Sequence, residues 1–155
     1  MSRPPRRQPS HSPALSSLPY EVEMTATAEV VYKDLYRKCK EAELRGDPTS
    51  SHCTTFHIVR DAITRIIPHD PLNRKHALRG ELSNIFRLKK GRLRICWIAS
   101  SRQRRVCVLL LTEALRKEGD ANDPYVIFQG RVSSGKLDSI FEEFGTRMSR
   151  LRNPK

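Results

Sequence analysis

The chain has 155 residues, and 29 Lys or Arg against 17 Asp or Glu leave a net charge of +12. With a pI of about 10.1, the leading partner class is a polyanion, because Lys and Arg that neutralise phosphates release counterions; charge alone would equally suit an anionic membrane surface or an acidic protein. The length suits one domain around one modest core, and no apolar run approaches the roughly 18 residues of a membrane span, the longest, Val106 to Leu111, being strand-sized.

Residues 1–18 read as a disordered basic tail. Pro4, Pro5, Pro9 and Pro13 stand among serines and Arg3, Arg6 and Arg7, with no acid and no apolar segment of the kind a secretory signal carries. Residues 19–147 form the expected domain, and 148–155 a basic C-terminal tail. Tyr20, Val22 and Met24 alternate with polar residues and predict a strand. Ala28, Val31, Leu35, Cys39 and Ala42 recur at helical spacing, and Gly46 closes that helix. Phe56, Val59, Ile63 and Ile66 make a second helical stripe ended by Pro68. A loop from His69 to Gly80 follows, anchored by Leu78. Three strands are expected at about Ile85 to Lys89, Arg92 to Ala99 and Arg105 to Leu111. A polar connection leads to Asp123-Pro124, an N-cap followed by proline at the first helical position. Leu137, Ile140, Phe141 and Phe144 give the last helical face. The order β-α-α-β-β-β-α predicts an α+β fold: a small, mainly antiparallel sheet with helices packed on one face.

Cys39, Cys53, Cys96 and Cys107 show no C-x-x-C spacing. They read as free thiols of a reducing cytoplasm, three of them in apolar periodic segments. Cys39, His52, Cys53 and His57 match no zinc-ligand spacing, so core packing is the preferred reading and no metal site is expected.

The hairpin around Gly91 holds the strongest functional signal. Residues 82 to 112 contain eight Lys or Arg and no acid. A two-residue turn at Lys90-Gly91 sets Lys89 opposite Arg92 and Arg87 opposite Arg94, with Phe86 opposite Ile95 and Leu88 opposite Leu93 on the other face. Solvated faces usually mix both signs; a face of one sign suits a phosphate and the charge that develops on it.

From Leu78-Arg79-Gly80 through Ile85-Phe86-Arg87-Leu88-Lys89 and Arg92-Leu93-Arg94-Ile95-Cys96-Trp97 to the Val106–Leu111 strand, the chain resembles the RelE superfamily of bacterial toxins. Arg116-Lys117-Glu118-Gly119-Asp120 followed by Asp123-Pro124-Tyr125 is similar to its YhaV-like branch. The likeness spans about residues 19 to 146. It implies the toxin of a type II toxin–antitoxin system: a cytoplasmic endoribonuclease that needs no cofactor or metal, acts on mRNA with the ribosome as one setting, and is restrained by a cognate antitoxin. Carried over residue by residue, it implies catalytic roles for Arg87, Lys89, Arg94, Arg116 and Tyr125, with Lys117 an equal match to Arg116. Lys90, Arg92, Lys117, Arg104 and Arg105 are then expected to bind RNA.

The residues themselves suit RNA cleavage by the substrate's own 2′-OH, which needs a base, cations for the extra phosphorane charge and an acid for the leaving 5′-oxygen. Arg stays charged and stabilises. Lys89 or Tyr125 could be the base if neighbouring cations depress its pKa. Of the histidines His52, His57, His69 and His76, only His76 adjoins the basic strands. Trp97, in the apolar row, reads as core; Tyr32 and Tyr36 read as packing; Glu118, Asp120 and Asp123 read as capping and loop residues. Two alternatives stay open: a non-enzymatic, ParE-like toxin that binds a topoisomerase, and a plain RNA-binding module.

Overall fold

The structure, a computed structural model, describes residues 18–113 and 122–145. Four strands form one sheet: β1 (Glu21–Met24), β2 (Phe86–Lys90), β3 (Leu93–Ser100) and β4 (Arg105–Glu113), in the order β1-β4-β3-β2. β2 and β3, and β3 and β4, are antiparallel; β1 runs parallel to β4, with Glu21 beside Arg105. The α+β class and the mainly antiparallel sheet are as the sequence predicts.

Helix α1 (Ala26–Leu44) begins where Thr25 turns extended and its Oγ1 accepts from the Ala28 N–H at 3.2 Å. Gly46, at φ +82°, ends it. Ser50 caps α2 (Ser51–Asp61) through Cys53 N–H, at 3.3 Å. That helix continues as one π turn (Ala62–Ile66), closed by Ile67 N–H donating to the Ala62 carbonyl at 2.8 Å. The stripe Ala28, Val59, Ala62, Ile63 and Ile67 packs on the sheet face that carries Phe86, Leu93, Ile95, Trp97, Val106, Val108 and Leu111.

The single last helix expected after Asp123-Pro124 resolves into two, α3 (Pro124–Ser133) and α4 (Asp138–Glu143). They lie on the other sheet face: Phe128, Val132, Phe141 and Phe144 pack with Cys96, Ile98, Cys107 and Leu109. The expectation of one covered face therefore holds for α1 and α2, while α3 and α4 cover part of the second. A bulge makes this fit. Cys96 pairs with Leu110 and Trp97 with Val108, so Leu109 has no opposite number. Leu109 and Leu110 both turn to the second face, and the strand bends beneath the helices.

The hairpin register differs from the expected one by a one-residue shift of the turn. Lys90 pairs with Leu93, Lys89 with Arg94, Leu88 with Ile95, Arg87 with Cys96 and Phe86 with Trp97. The turn is thus Gly91-Arg92, with Gly91 at φ +59°. A turn at Lys90-Gly91 would demand positive φ from a lysine; this one gives the left-handed position to the glycine. Both turns are two residues long, so the apolar and basic rows stay sorted. The like-charged neighbours change: Arg87 faces Cys96 rather than Arg94, and Lys89 faces Arg94 rather than Arg92.

Candidate active site

Beyond the part of the second face that α3 and α4 cover lies an open cleft of about 590 Å³. Its floor is β2, which presents Arg87 and Lys89. One wall is the loop between α2 and β2, with Lys75, His76 and Arg79. The other is the first turn of α3, with Tyr125 and, one turn on, Gln129. Lys75, Arg79, Arg87, Lys89 and His76 are among its lining residues. The exposed side of α1 carries charges of both signs. There Lys33, Arg37, Lys38 and Lys40 each meet an acid three or four residues away.

Each wall is positioned by the fold. The loop is tied to the core by Trp97, whose Nε1 donates to the Pro71 carbonyl at 2.9 Å. It is tied to the sheet by Leu78 N–H, which donates to the Ile85 carbonyl at 2.9 Å, and by the bridge between Ala77 and Phe86. The His76 ring stands edge-on to Trp97, with centroids 5.8 Å apart. On the α3 side, Asp123 is buried and its Oδ1 accepts from Tyr125 N–H at 2.9 Å. Phe128 and Val132 root the helix face that carries Tyr125.

Arg87 and Tyr125 meet across the cleft. Arg87 Nη1 donates to Tyr125 Oη at 3.0 Å, and its guanidinium lies 5.4 Å from the ring centroid. Tyr125 is half-buried, and burial raises its pKa above the usual 10, with the neighbouring Cys96 acting the same way and Arg87 and Arg94 opposing. The expectation that surrounding cations depress this tyrosine is therefore reversed: desolvation outweighs them, and Tyr125 holds its proton. His76 shifts the other way. Burial and Lys75 lower its pKa below 6.5, so its imidazole is neutral at pH 7. Cys96, opposite Arg87, is pushed up to about 12 by burial, so it is a packed thiol and not a nucleophile.

Arg94 shares the Arg87 face, but it is buried. Its Nη1 donates to the Gly91 carbonyl at 2.7 Å and to the Leu93 carbonyl at 3.1 Å. It braces the hairpin turn and adds field at short range. Lys90 follows Phe86 and Leu88 in alternation and so belongs to the opposite row from Arg87; Arg92 sits in the turn, exposed. Arg104 and Arg105 lie at the far end of β4, where Arg105 pairs with Ser100, away from the hairpin tip. Arg104 stacks 4.4 Å from the Tyr20 ring centroid and donates to the Leu18 carbonyl. Arg105 bridges Glu23 at 2.8 Å and Glu143 at 3.0 Å. Arg105, expected to bind RNA, is thus held by two acids distant in sequence and lies away from the cleft, and Arg104, likewise distant, is engaged by the N-terminal segment. Arg116 and Lys117 lie outside the described residues, as do the two tails. Lys75, Arg79 and Gln129 were not legible as site residues, because their loop and helix positions carry no periodic or charge-run signal.

Residues 25–148 match the sequence model of a family of toxins with endonuclease activity, of toxin–antitoxin systems. The chain belongs to the YhaV toxin family. Among solved structures, this toxin is similar to the toxin–antitoxin complex RelBE2 from Mycobacterium tuberculosis. The identity is 21%, the match covers 62% of this chain and 92% of that one, and the TM-score is 0.43. It is also similar to the isolated E. coli RelE toxin, at 15% identity over 64% of this chain and 88% of that one, with a TM-score of 0.47. No curated protein matches the chain. Endonuclease activity decides against the topoisomerase-binding and plain RNA-binding alternatives. All four cysteines are free and buried, and among the described residues no helix is long and apolar enough to cross a membrane.

Proposed function

We propose that this toxin cleaves RNA, mRNA in the first place, by driving the 2′-OH of one nucleotide onto the adjacent phosphorus, and that a cognate antitoxin restrains it. The observation that carries the reading is the Arg87–Tyr125 pair in a cleft that Lys75, Arg79 and Lys89 also line. A phosphodiester enters with its non-bridging oxygens toward Arg87, Lys89, Lys75 and Arg79. As the 2′-oxygen bonds to phosphorus, the phosphorane gains negative charge, which the fixed guanidinium of Arg87 stabilises most. Neutral His76 accepts the 2′-OH proton. Tyr125, protonated and hydrogen-bonded to Arg87, gives its proton to the departing 5′-oxygen as the P–O bond breaks. The products are a 2′,3′-cyclic phosphate and a 5′-hydroxyl. Among the residues expected from sequence, Arg87 and Tyr125 keep direct roles and Lys89 binds phosphate. Arg94 supports the hairpin that presents them.

The test is cleavage of a defined RNA by the purified toxin, free in EDTA and, separately, as mRNA on programmed ribosomes in magnesium. We expect cyclic-phosphate ends in whichever setting supports cleavage, and no cut where the attacking ribose is 2′-deoxy. Products with 5′-phosphates, or cleavage of the deoxy-substituted strand, would overturn the mechanism. Cutting only on ribosomes would assign the missing alignment of the substrate to the ribosome.

A further inference from the structure

By spacing, Cys39, His52, Cys53 and His57 match no zinc-ligand pattern and read as core packing. Folding brings some of them together. The ligand atoms of Cys39, Glu43 and His57 all lie within 4.8 Å of one another. Cys39 and Glu43 stand one turn apart on α1, with Cys39 Sγ 3.7 Å from Glu43 Oε2. His57 comes from the facing helix α2. Cys39 is buried at the floor, and Glu43 and His57 are exposed at the rim. Around a tetrahedral zinc ion, sulfur, nitrogen and oxygen ligands stand about 3.3 to 3.8 Å apart, so small rim movements suffice to close the set. His52 is not in the group. Cys53 Sγ is only 2.7 Å from Cys39 Sγ, closer than two ligands of one ion stand; its S–H is directed to the Cys39 carbonyl at 3.2 Å.

We propose that Cys39, Glu43 and His57 bind a thiophilic divalent cation of the zinc class, with water in the fourth position, as a clamp between the C-terminal part of α1 and the middle of α2. The thiol excludes magnesium and calcium by softness, and the Cys–Glu–His set with one open position suits zinc. Binding breaks the Cys39 S–H bond, the sulfur pair passes to the metal and the proton to solvent. Glu43 uses one oxygen for the ion and keeps the other for Lys40, now 3.4 Å away. The site is on the helices that pack against the sheet face opposite Arg87, so its role is structural and independent of the nuclease reading.

The experiment uses full-length protein, reduced and stripped of metal, titrated with cobalt(II) and then zinc. We expect one equivalent of cobalt, a near-ultraviolet sulfur-to-cobalt charge-transfer band displaced by zinc, and loss of that band in Cys39→Ser. Glu43→Gln and His57→Ala alter exposed side chains and leave the fold intact; each weakens zinc binding by about tenfold or more and abolishes the rise in melting temperature that zinc gives the parent. Absence of the band, its survival in Cys39→Ser, or unchanged zinc affinity in both rim variants would overturn the site.

Discussion

At the scale of single residues, two side chains in the cleft are displaced from their ordinary protonation in opposite directions. Tyr125 is raised and His76 lowered, both chiefly by burial. The charged form of each is the one that burial penalises, so phenolate needs a pH above 10 and imidazolium a pH below 6.5. The cleavage rate of this toxin is therefore expected to stay level across neutral pH. It falls on the acid side only beneath 6.5 and on the alkaline side only beyond 10. His76→Gln removes the acid limb, which a pH–rate profile of single-turnover cleavage reads directly. Arg87→Ala should lower that rate by about a hundredfold or more, as removal of one fixed donor to a developing oxyanion does. Tyr125→Phe should lower it by about a hundredfold or more by removing the acid. Normal rates in either variant would take that residue out of the chemistry. Arg94→Ala should act differently: it strips two turn carbonyls of a charged donor, so loss of about 2 kcal/mol of stability is expected in urea unfolding, beside any loss of rate.

At the scale of elements, hydrophobic period located β1, α1 and α2, each with one face against a core, while β3 and β4, buried on both faces, showed as strand-length apolar segments between turn residues. It could not set the hairpin register, since shifting a two-residue turn by one position leaves every apolar residue on the same face. The decision came from backbone sterics: Gly91, not Lys90, takes the left-handed position. A Cβ at Gly91 meets nothing within 4 Å, so the penalty for Gly91→Ala is conformational alone, about 1 kcal/mol, visible as a lower urea midpoint; Gly91→Asn should cost less. Of the wall made by Lys75, His76 and Arg79, sequence marked His76 by its place just before the basic strands, while the loop's lack of period hid the roles of Lys75 and Arg79. The wall is built by Trp97, which the sequence reading correctly gave to the core without its hydrogen bond to Pro71. Trp97→Phe should lose about 1 kcal/mol and slow cleavage more than it slows RNA binding, since it loosens the wall that holds His76.

At the scale of the whole molecule, the net charge was legible but its division was not. RNA contacts were expected at Lys90, Arg92, Arg104, Arg105 and Lys117, whereas Arg105 is matched by Glu23 and Glu143 from distant segments and Lys90 belongs to the opposite face. What remains concentrated is the cleft. If its four cations contact three or four phosphates, the log–log plot of RNA affinity against salt should have a slope of about −2 to −3. Binding of an uncleavable 2′-deoxy strand at several salt concentrations measures it, and a slope near zero would mean that the cleft does not engage the backbone. Lys89→Ala should flatten the slope by about 0.7, and Arg104→Ala should leave it unchanged.

The placement of β1 sets an order of events during synthesis. Its backbone finds its partner only in β4, where Glu21 adjoins Arg105, and pairings so far apart along a chain form slowly and late. Tyr125 leaves the ribosome later still, on α3. On the proposed mechanism, a nascent polypeptide that has not yet released Tyr125 lacks both a finished sheet and its proton donor, and that interval lets an inhibitor already present capture the chain before it can cut.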